Sequence, residues 1–365
     1  DGTYAPAGSH KGDEAVNGTT QEEQRDVLHT CSYVPEEIIL AAGFRPRRFL
    51  PESPPSDAPI HPNTCGYVKS MLAAALDGGG VQAAGIIIAN SCDAMRRLYD
   101  LWTAYVRPAP ALFLDIPKKA DDDSIAMFAS ELKGLAARLP ATLSGKAIDT
   151  ASLRRAIRTC NEIRALMGEV FTAQRSTQSD GVGTRVFDLC LTGTTHTRTD
   201  FAASIRQFLA DVARERRSPK APRIVLAGGL VNERNVAAAV ERTGARVVAL
   251  DTCLGLRHYE GLVEEDAPDP FLALARRYLT KPGCARMQGL DERVHRMKQV
   301  ADQAEADGIV FCSLKFCGPC LYDIPILAER CRASGIPFLS LEHDYEGSGL
   351  EQLSSRIGAF VELRH

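Results

Sequence analysis

The sequence lacks the features that would place the protein in a membrane, on nucleic acid or outside the cell. It contains no apolar run of the roughly 18 residues that a membrane span requires. Residues 1–21 are polar and glycine-rich, without the apolar stretch of a signal peptide. The formal net charge is −3, so no basic field favours nucleic acid or an acidic membrane surface. We therefore predict a cytoplasmic protein with neither nucleic acid nor membrane as a partner, and a disordered lead-in over residues 1–21.

Cysteine, by contrast, is abundant. The 365 residues suffice for two domains that each bury a core, and the 45% hydrophobic and 24% charged residues are typical of globular proteins. The chain has 11 cysteines. An odd number of cysteines in a chain without a secretion signal argues against a disulfide framework. The question is therefore which of them lie at a ligand-binding edge of the fold.

Strand and helix patterns alternate along both halves of the chain. Continuous apolar runs such as residues 84–90 are typical of parallel strands that are covered on both faces. The pattern predicts an α/β fold with two doubly wound parallel-sheet domains, at residues 22–120 and 217–365, and a helical segment at residues 121–216 between them. The predicted strands are 45–50, 84–90, 111–116, 223–226, 246–250, 308–312 and 337–341. The predicted helices are 35–42, 66–77, 93–106, 121–138, 150–173, 199–216, 233–243, 270–279, 291–307, 324–334 and 350–363.

Four cysteines, Cys65, Cys92, Cys253 and Cys317, fall near predicted strand ends or helix starts. In doubly wound sheets, ligands bind beyond the carboxyl ends of the strands. A helix N-terminus stabilises a thiolate, but several thiolates at one place repel one another unless a metal neutralises them. The pattern therefore predicts a multi-thiolate site for a soft metal or an iron–sulfur cluster. Zinc is less attractive, because the chain has a single CxxC pair. Three other cysteines lie inside helical patterns and are interpreted as core residues: Cys160, Cys190 and Cys331.

A series of short motifs runs in order from about Cys31 to Arg364. They are CSYVPEEIILAAGF from residue 31, CGYVKS from residue 65, NSCDAMRRL from residue 90, AGG from residue 227, DTCLGLR from residue 251, SLKFC from residue 313, LEHDY from residue 341 and RIGAF from residue 356. In content, order and spacing these segments resemble those of the 2-hydroxyacyl-CoA dehydratase and benzoyl-CoA reductase family.

The resemblance implies a catalytic subunit that holds a cubane 4Fe–4S cluster through Cys65, Cys92 and Cys317. It also implies an acyl-CoA thioester as substrate and an ATP-hydrolysing iron–sulfur activator protein as electron donor. The expected assembly is a pair with a homologous second subunit, or a homodimer. Benzoyl-CoA reductase-like ring reduction is the favoured expectation, and dehydration of an (R)-2-hydroxyacyl-CoA is the alternative.

The chain has more cysteines than a single cubane needs. Cys253, Cys284 and Cys320, with Cys312 as a substitute, are candidates to ligate a second cubane. A branch of the same family holds a double-cubane 8Fe–9S cluster through six cysteines and reduces small molecules. A double-cubane cluster is therefore the alternative cofactor.

Several other residues at the expected ligand-binding face have two interpretations each. His343, with Glu342 beside it, is a candidate catalytic proton donor or a structural hydrogen-bonding residue. The turn at Gly228 and Gly229 is a candidate phosphate-binding turn or a tight packing turn. Arg257 is a candidate contact for CoA phosphates or a carboxylate, or a member of a surface ion pair.

The CGPC sequence from Cys317 to Cys320 also resembles a thioredoxin redox site. A thiol–disulfide oxidoreductase would need only these two thiols. It would leave Cys65 and Cys92 without a function, so this is the second, different class of function that the sequence allows.

Overall fold

The computed structural model describes residues 25–51, 58–77, 82–106, 109–215, 220–229, 233–345 and 350–363. The predicted disordered lead-in lies outside these residues. The described residues form two four-stranded sheets in which every strand pair is parallel, flanked by helices. This confirms the predicted fold class.

The first sheet has the strand order β2-β1-β3-β4. All five residues of β3, Gly-Ile-Ile-Ile-Ala, are buried, as expected for a strand covered on both faces. The prediction missed β1, because its four residues DVLH have polar side chains at both ends and show no apolar run. The elements are β1 (Asp26–His29), α1 (Glu36–Ala41), β2 (Arg45–Arg48), α2 (Gly66–Leu76), β3 (Gly85–Ala89), α3 (Asp93–Tyr105) and β4 (Ala111–Leu114).

Four helices follow the first sheet. Asp121 caps α4 by accepting a hydrogen bond from the Ser124 amide at 2.9 Å, and Asp149 and Ser152 form a capping box at the start of α5. The first of these helices continues through Pro140, beyond its predicted end at residue 138, and α6 was not predicted as a separate element. The helices are α4 (Asp122–Leu143), α5 (Thr150–Ser176), α6 (Val182–Gly193) and α7 (Arg198–Arg214).

The second sheet has the same kind of order, β6-β5-β7-β8. Its last-but-one helix, α12, begins at Gly318 rather than at the predicted residue 324, because Pro319 is tolerated in the first turn, where its missing N–H is not needed. The elements are β5 (Arg223–Gly228), α8 (Glu233–Arg242), β6 (Arg246–Asp251), α9 (Leu256–Tyr259), α10 (Pro270–Thr280), α11 (Leu290–Gln303), β7 (Gly308–Leu314), α12 (Gly318–Ala333), β8 (Phe338–His343) and α13 (Leu350–Glu362).

The segment around α10 crosses over to the first half of the fold. Buried residues from Val263 to Met287 pack in the same apolar core as α1, α4 and the first sheet. The two halves of the chain are therefore packed together, and the loop after α10 lies against the first sheet. Within the described residues, no helix is both long and apolar enough to cross a membrane.

Two buried glutamates at the start of α1 join this helix to the rest of the molecule. Glu37 lies 2.5 Å from Arg164 of α5 and accepts a hydrogen bond from the Tyr278 hydroxyl at 2.8 Å. Glu36 lies 2.6 Å from Arg198 at the start of α7, and the imidazoles of His29 and His258 are 3.4 and 3.7 Å away. We call Glu36, Glu37 and these five partners the glutamate network. It explains the PEE segment of the first motif as a structural feature.

Candidate functional site

In both sheets the strand order reverses between the first and third strands, β1 and β3 in one and β5 and β7 in the other. Such switch points are where doubly wound sheets bind ligands. Cys31 and Cys92 follow β1 and β3, and Cys317 follows β7 by three residues. Gly229 directly follows β5. Cysteines therefore occur beyond both switch points.

Cys65, Cys92 and Cys317 are the N-cap residues of α2, α3 and α12. None of the three side chains makes a capping hydrogen bond, and each thiol lies at a helix N-terminus. All three pack against one apolar cluster, in which Leu314 from the second sheet joins buried residues of the first, and which includes Tyr345 at its margin. We call this the inter-sheet cluster. The structure thus gathers the three predicted cubane ligands at one apolar junction between the sheets.

The junction leaves no room for a side chain at Gly66. A Cβ atom there would lie 2.9 Å from Cβ of Tyr345, and the rings of Tyr67 and Tyr345 lie 5.4 Å apart. Because Gly66 directly follows Cys65, the end of β8 and the start of α2 approach each other closely. Glycine at this position allows Cys65 to reach the junction.

The thiols at the junction influence one another electrostatically. Burial raises the pKa of Cys65 to about 12, and the charge of Cys317 contributes to the increase. Burial also raises the pKa of Cys92, with Cys317 adding to the effect. Three ionised thiolates would therefore destabilise this apolar site unless a cation neutralised them.

The donors at the junction are soft cysteine thiols. Within the described residues, no group of three or more His, Cys, Asp or Glu side chains is arranged to hold one metal ion. In a cubane each iron takes its own thiolate, so the ligand sulfurs lie farther apart than around one ion. Soft thiolate donors at an apolar, partly buried junction are the ligands that iron–sulfur clusters use.

A second set of cysteines lies around Arg257. Burial alone would lower the pKa of this arginine, but Asp251 and the thiols of Cys284, Cys253 and Cys320 raise it above its usual range. The guanidinium also contacts Asp251 at 3.2 Å and the Gly228 carbonyl at 2.5 Å. The structure therefore brings the three candidate ligands of a second cubane to one buried arginine.

Cys312, the predicted substitute ligand, lies elsewhere. It is a fully buried residue of β7 in the core of the second sheet. Its carbonyl oxygen is so close to Gly228 that a Cβ atom would clash, which explains the glycine and its φ of +144°. The next residue, Gly229, would place a Cβ atom 3.1 Å from Sγ of Cys320. The two glycines thus make room for β7 and for Cys320, which supports the tight-packing interpretation of this turn.

Cys31 is a residue of this region to which the sequence analysis assigned no function. It is 9% exposed and follows β1 by two residues, as Cys92 follows β3 by three. It packs in the same core as Cys284 and influences the electrostatics of Cys92 and Cys284. Recognition of β1 as a strand would have placed Cys31 at the ligand-binding edge, and that strand was the missing signal.

The two predicted catalytic residues point to opposite faces of β8. His343 is 3% exposed, lies 2.9 Å through Nδ1 from the Asp344 carbonyl, and has a buried Nε2 without a hydrogen-bond partner among the described residues. Burial lowers its pKa. The side chain of Glu342 is exposed. The structure therefore does not bring Glu342 and His343 together, and only His343 is directed into the interior.

The CGPC pair has the local features of a reactive thiol. Cys317 caps α12 and is hydrogen-bonded to Cys320, which lowers the pKa of Cys317 to about 7 and raises that of Cys320. Phe316, the residue before the pair, has a positive φ of 61°. The three cysteines interpreted as core residues, Cys160, Cys190 and Cys331, are buried in α5, α6 and α12.

Comparisons with known proteins give the family. The model of the 2-hydroxyglutaryl-CoA dehydratase D-component family matches residues 31–363. A benzoyl-CoA reductase subunit of Thauera aromatica is 24% identical over 90% of this chain and 88% of its own. The (R)-phenyllactyl-CoA dehydratase beta subunit of Clostridium sporogenes and the lactoyl-CoA dehydratase beta subunit of Anaerotignum propionicum are each 23% identical, over 90% and 91% of this chain and 89% of their own. All three are named as subunits of enzymes, which is consistent with a partner subunit. The protein therefore belongs to the 2-hydroxyglutaryl-CoA dehydratase D-component family, as its motifs predicted.

Proposed function

We propose that the protein is the iron–sulfur subunit of an ATP-driven, low-potential reductase that acts on acyl-CoA thioesters. The convergence of Cys65, Cys92 and Cys317, at three helix N-termini on one apolar junction, is the observation that carries this proposal. Benzoyl-CoA reductase-like ring reduction is the favoured reaction. Dehydration of an (R)-2-hydroxyacyl-CoA is the alternative, since reductase and dehydratase relatives are 24% and 23% identical.

In this proposal the chain's own residues bind the cluster and keep water out. Cys65, Cys92 and Cys317 hold a 4Fe–4S cluster, which supplies one-electron chemistry at low potential. The three helix N-termini stabilise the thiolates, and the inter-sheet cluster keeps the site apolar. His343 is the candidate proton donor, because its Nε2 is buried and without a partner in the described part of the chain. The electron donor is an ATP-hydrolysing activator, and the assembly is a pair with a homologous subunit or a homodimer in the cytoplasm.

The test is the iron and acid-labile sulfide content of protein prepared without oxygen. We expect about four irons per chain for a single cubane. Cys92→Ser should lose most of this iron, because it removes a ligand at the junction. Cys160→Ser is the matched control, since Cys160 is a buried helical cysteine of α5 that should not bind the cluster. Iron that was lost from Cys160→Ser and kept in Cys92→Ser would contradict the assignment.

The same measurement decides whether a second cubane is present. About eight irons per chain would indicate the double-cubane cluster. Cys253→Ser, Cys284→Ser and Cys320→Ser should then each lower the iron content, because these three cysteines surround Arg257. A double cubane would make small molecules and aromatic rings the first substrates to test, whereas about four irons would direct the assay to 2-hydroxyacyl-CoA thioesters.

A thiol–disulfide oxidoreductase is the second candidate function, favoured by the lowered pKa of Cys317 beside Cys320. It predicts protein without iron and two thiols that react rapidly with a disulfide reagent. Iron-free protein whose Cys317→Ser variant lost the fast thiol reaction would favour this function over the first.

A further inference from the structure

The loop after α10, residues 281–289, is hydrogen-bonded to the ligand-binding edge of the first sheet. Lys281 donates to the Ser32 carbonyl at 2.6 Å, beside Cys31. Arg286 donates to the Ile116 carbonyl at 2.8 Å, beyond β4, and the Gln288 amide donates to the Lys118 carbonyl at 2.8 Å. Cys284 lies between these anchors, so the loop holds it at the edge where Cys31 and Cys92 lie.

Three buried cations at this edge lack a carboxylate partner in the described part of the chain. Arg48, Lys281 and Arg286, which we call the cation group, are 6, 5 and 6% exposed, and no described Asp or Glu oxygen lies within 4 Å of them. Lys281 and Arg286 contact the same aromatic ring: Nζ of Lys281 and Cζ of Arg286 lie 4.3 and 4.8 Å from the centroid of the Tyr33 ring. Two like charges on one buried ring repel each other. The two guanidiniums therefore place buried positive charge at this edge, whereas burial lowers the pKa of Lys281 well below its usual range.

Two N–H groups of the cation group lack a hydrogen-bond acceptor among the described residues. Nε of Arg48 and Nε of Arg286 are buried and make no hydrogen bond within the described residues. A buried donor without an acceptor costs free energy, and a guanidinium cannot lose its charge to avoid that cost. Two permanent charges with free N–H groups are therefore positioned for an anion.

The groups that face these cations are cysteines. Burial alone would lower the pKa of Arg48, but the Tyr67 hydroxyl and the thiols of Cys253 and Cys31 raise it. Burial raises the pKa of Tyr33, and the thiols of Cys284 and Cys31 raise it further. The thiols of Cys31, Cys253 and Cys284 therefore lie on the side of the site that the cation group faces. Arg286 also reaches this edge through its contact with the Asn90 carbonyl at 3.5 Å, two residues before Cys92.

We propose that Arg48 and Arg286 are positioning residues that neutralise the negative charge of the thiolate-bound cluster and thereby raise its reduction potential. The inference rests on the proposed function, because it requires a cluster to be bound. A fixed cation beside a cluster favours the more negative, reduced state, and net charge is one of the properties that set cluster potentials. The Lys281 amine lies 4.3 Å from the centroid of the same Tyr33 ring that Arg286 contacts.

The test is the midpoint potential of the cluster, followed by EPR during a redox titration of the anaerobically purified full chain. Arg286→Gln should shift the midpoint to a more negative value, and Arg286→Lys, which keeps the charge, should remain near the wild type. Arg277→Gln is the matched control. Arg277 is also buried, donates to the carbonyls of His258, Glu260 and Gly261, and lies 4.7 Å from the centroid of the Tyr278 ring. The charges that act on its pKa are those of Arg164, Tyr278, Glu37 and Cys160, none of them a predicted cluster ligand. Its removal should leave the midpoint unchanged.

The outcomes separate this inference from the proposed function. Wild-type protein that binds no iron would overturn the proposed function before any variant is compared. Arg286→Gln with full iron content and an unchanged midpoint would overturn the inference alone. If Arg286→Gln cannot retain iron, retention by Arg286→Lys supports the requirement for charge, and loss from both variants contradicts it. Arg48→Gln and Arg48→Lys allow the same comparison of iron content and midpoint potential for the arginine of β2.

Discussion

Glu36 and Glu37 each meet an arginine, whereas Arg48, Lys281 and Arg286 meet carbonyl oxygens, aromatic rings and thiols. Both regions are buried, and both lie at contacts between the first sheet and later parts of the chain. In the glutamate network the negative and positive side chains compensate one another at hydrogen-bonding distance. In the cation group, the described residues supply no carboxylate.

This difference separates a structural feature from a functional one. A buried ion pair with good geometry persists without a ligand, although removal of one partner is costly. Unpaired buried cations destabilise the ligand-free fold, so their presence requires another explanation. A thiolate-bound cluster supplies that explanation at this edge, because its negative charge would satisfy the cations. The PEE motif therefore holds the fold together, and under the proposed function the cation group belongs to the cluster site.

The largest expected loss of folding stability comes from a variant of the glutamate network. Glu37→Gln should lower the free energy of unfolding by about 3–5 kcal/mol, because it leaves the guanidinium of Arg164 buried without its carboxylate. Urea unfolding of the metal-free protein measures this. Glu162→Gln is the matched control, since Glu162 and Arg206 form an exposed pair at 2.9 Å whose loss should cost about 0–1 kcal/mol. Equal effects in the two variants would show that the buried network contributes no more than a surface pair.

A pH effect of intermediate size should come from the histidines of the glutamate network. Burial lowers the pKa of His258 to about 4 from its ordinary 6.5, and burial also lowers that of His29. Between these values the unfolded chain binds the proton and the folded chain does not. Stability should therefore decrease as the pH falls from 6.5 to 4, by about 3 kcal/mol for His258.

His258→Gln should flatten this pH dependence without abolishing it, because His29 remains beside Glu36. The measurement is the free energy of urea unfolding of metal-free protein at several pH values. His196→Gln, at an exposed histidine, is the control and should leave the profile unchanged. A profile that was identical in wild type and His258→Gln would refute the assignment of a buried, neutral His258.

The sequence was sufficient for the parallel α/β fold and for the location of Cys65 and Cys92 at helix starts, because long apolar runs and helical periodicity are local signals. Cys317 was predicted only to follow a strand, since the next helix was predicted to begin at residue 324 rather than at Gly318. It did not reveal β1, whose four residues lack such a run, and Cys31 was therefore missed. It also could not show that Cys253, Cys284 and Cys320 meet at Arg257, since their meeting depends on tertiary packing. Glu342 and His343 were grouped as neighbours in sequence, although alternation along β8 places them on opposite faces.

The smallest change in the free energy of unfolding should come from a variant of the cation group in metal-free protein. This result would contrast most clearly with the variants of the glutamate network. Burial, with the charge of Arg277, lowers the pKa of Lys281 well below its usual range, so Lys281→Met removes an amine whose charged form is unfavourable in the metal-free protein. It also loses the hydrogen bond to Ser32 and the contact with Tyr33. The gain from removing the buried amine and the loss of these two contacts oppose each other, so the free energy of unfolding should stay within about 1 kcal/mol of the wild-type value.

Arg164→Met is the corresponding change in the glutamate network and should cost about 3–5 kcal/mol, because it leaves Glu37 buried and unpaired. In cluster-loaded protein the two variants should differ less in their free energies of unfolding, since Lys281 then has a negative charge to stabilise. Chelator-induced iron loss, measured as a rate, should accordingly be faster in Lys281→Met than in wild type. If Lys281→Met destabilised the metal-free chain as much as Arg164→Met, the cation group would be a structural network like the first, and its charge would need no bound anion.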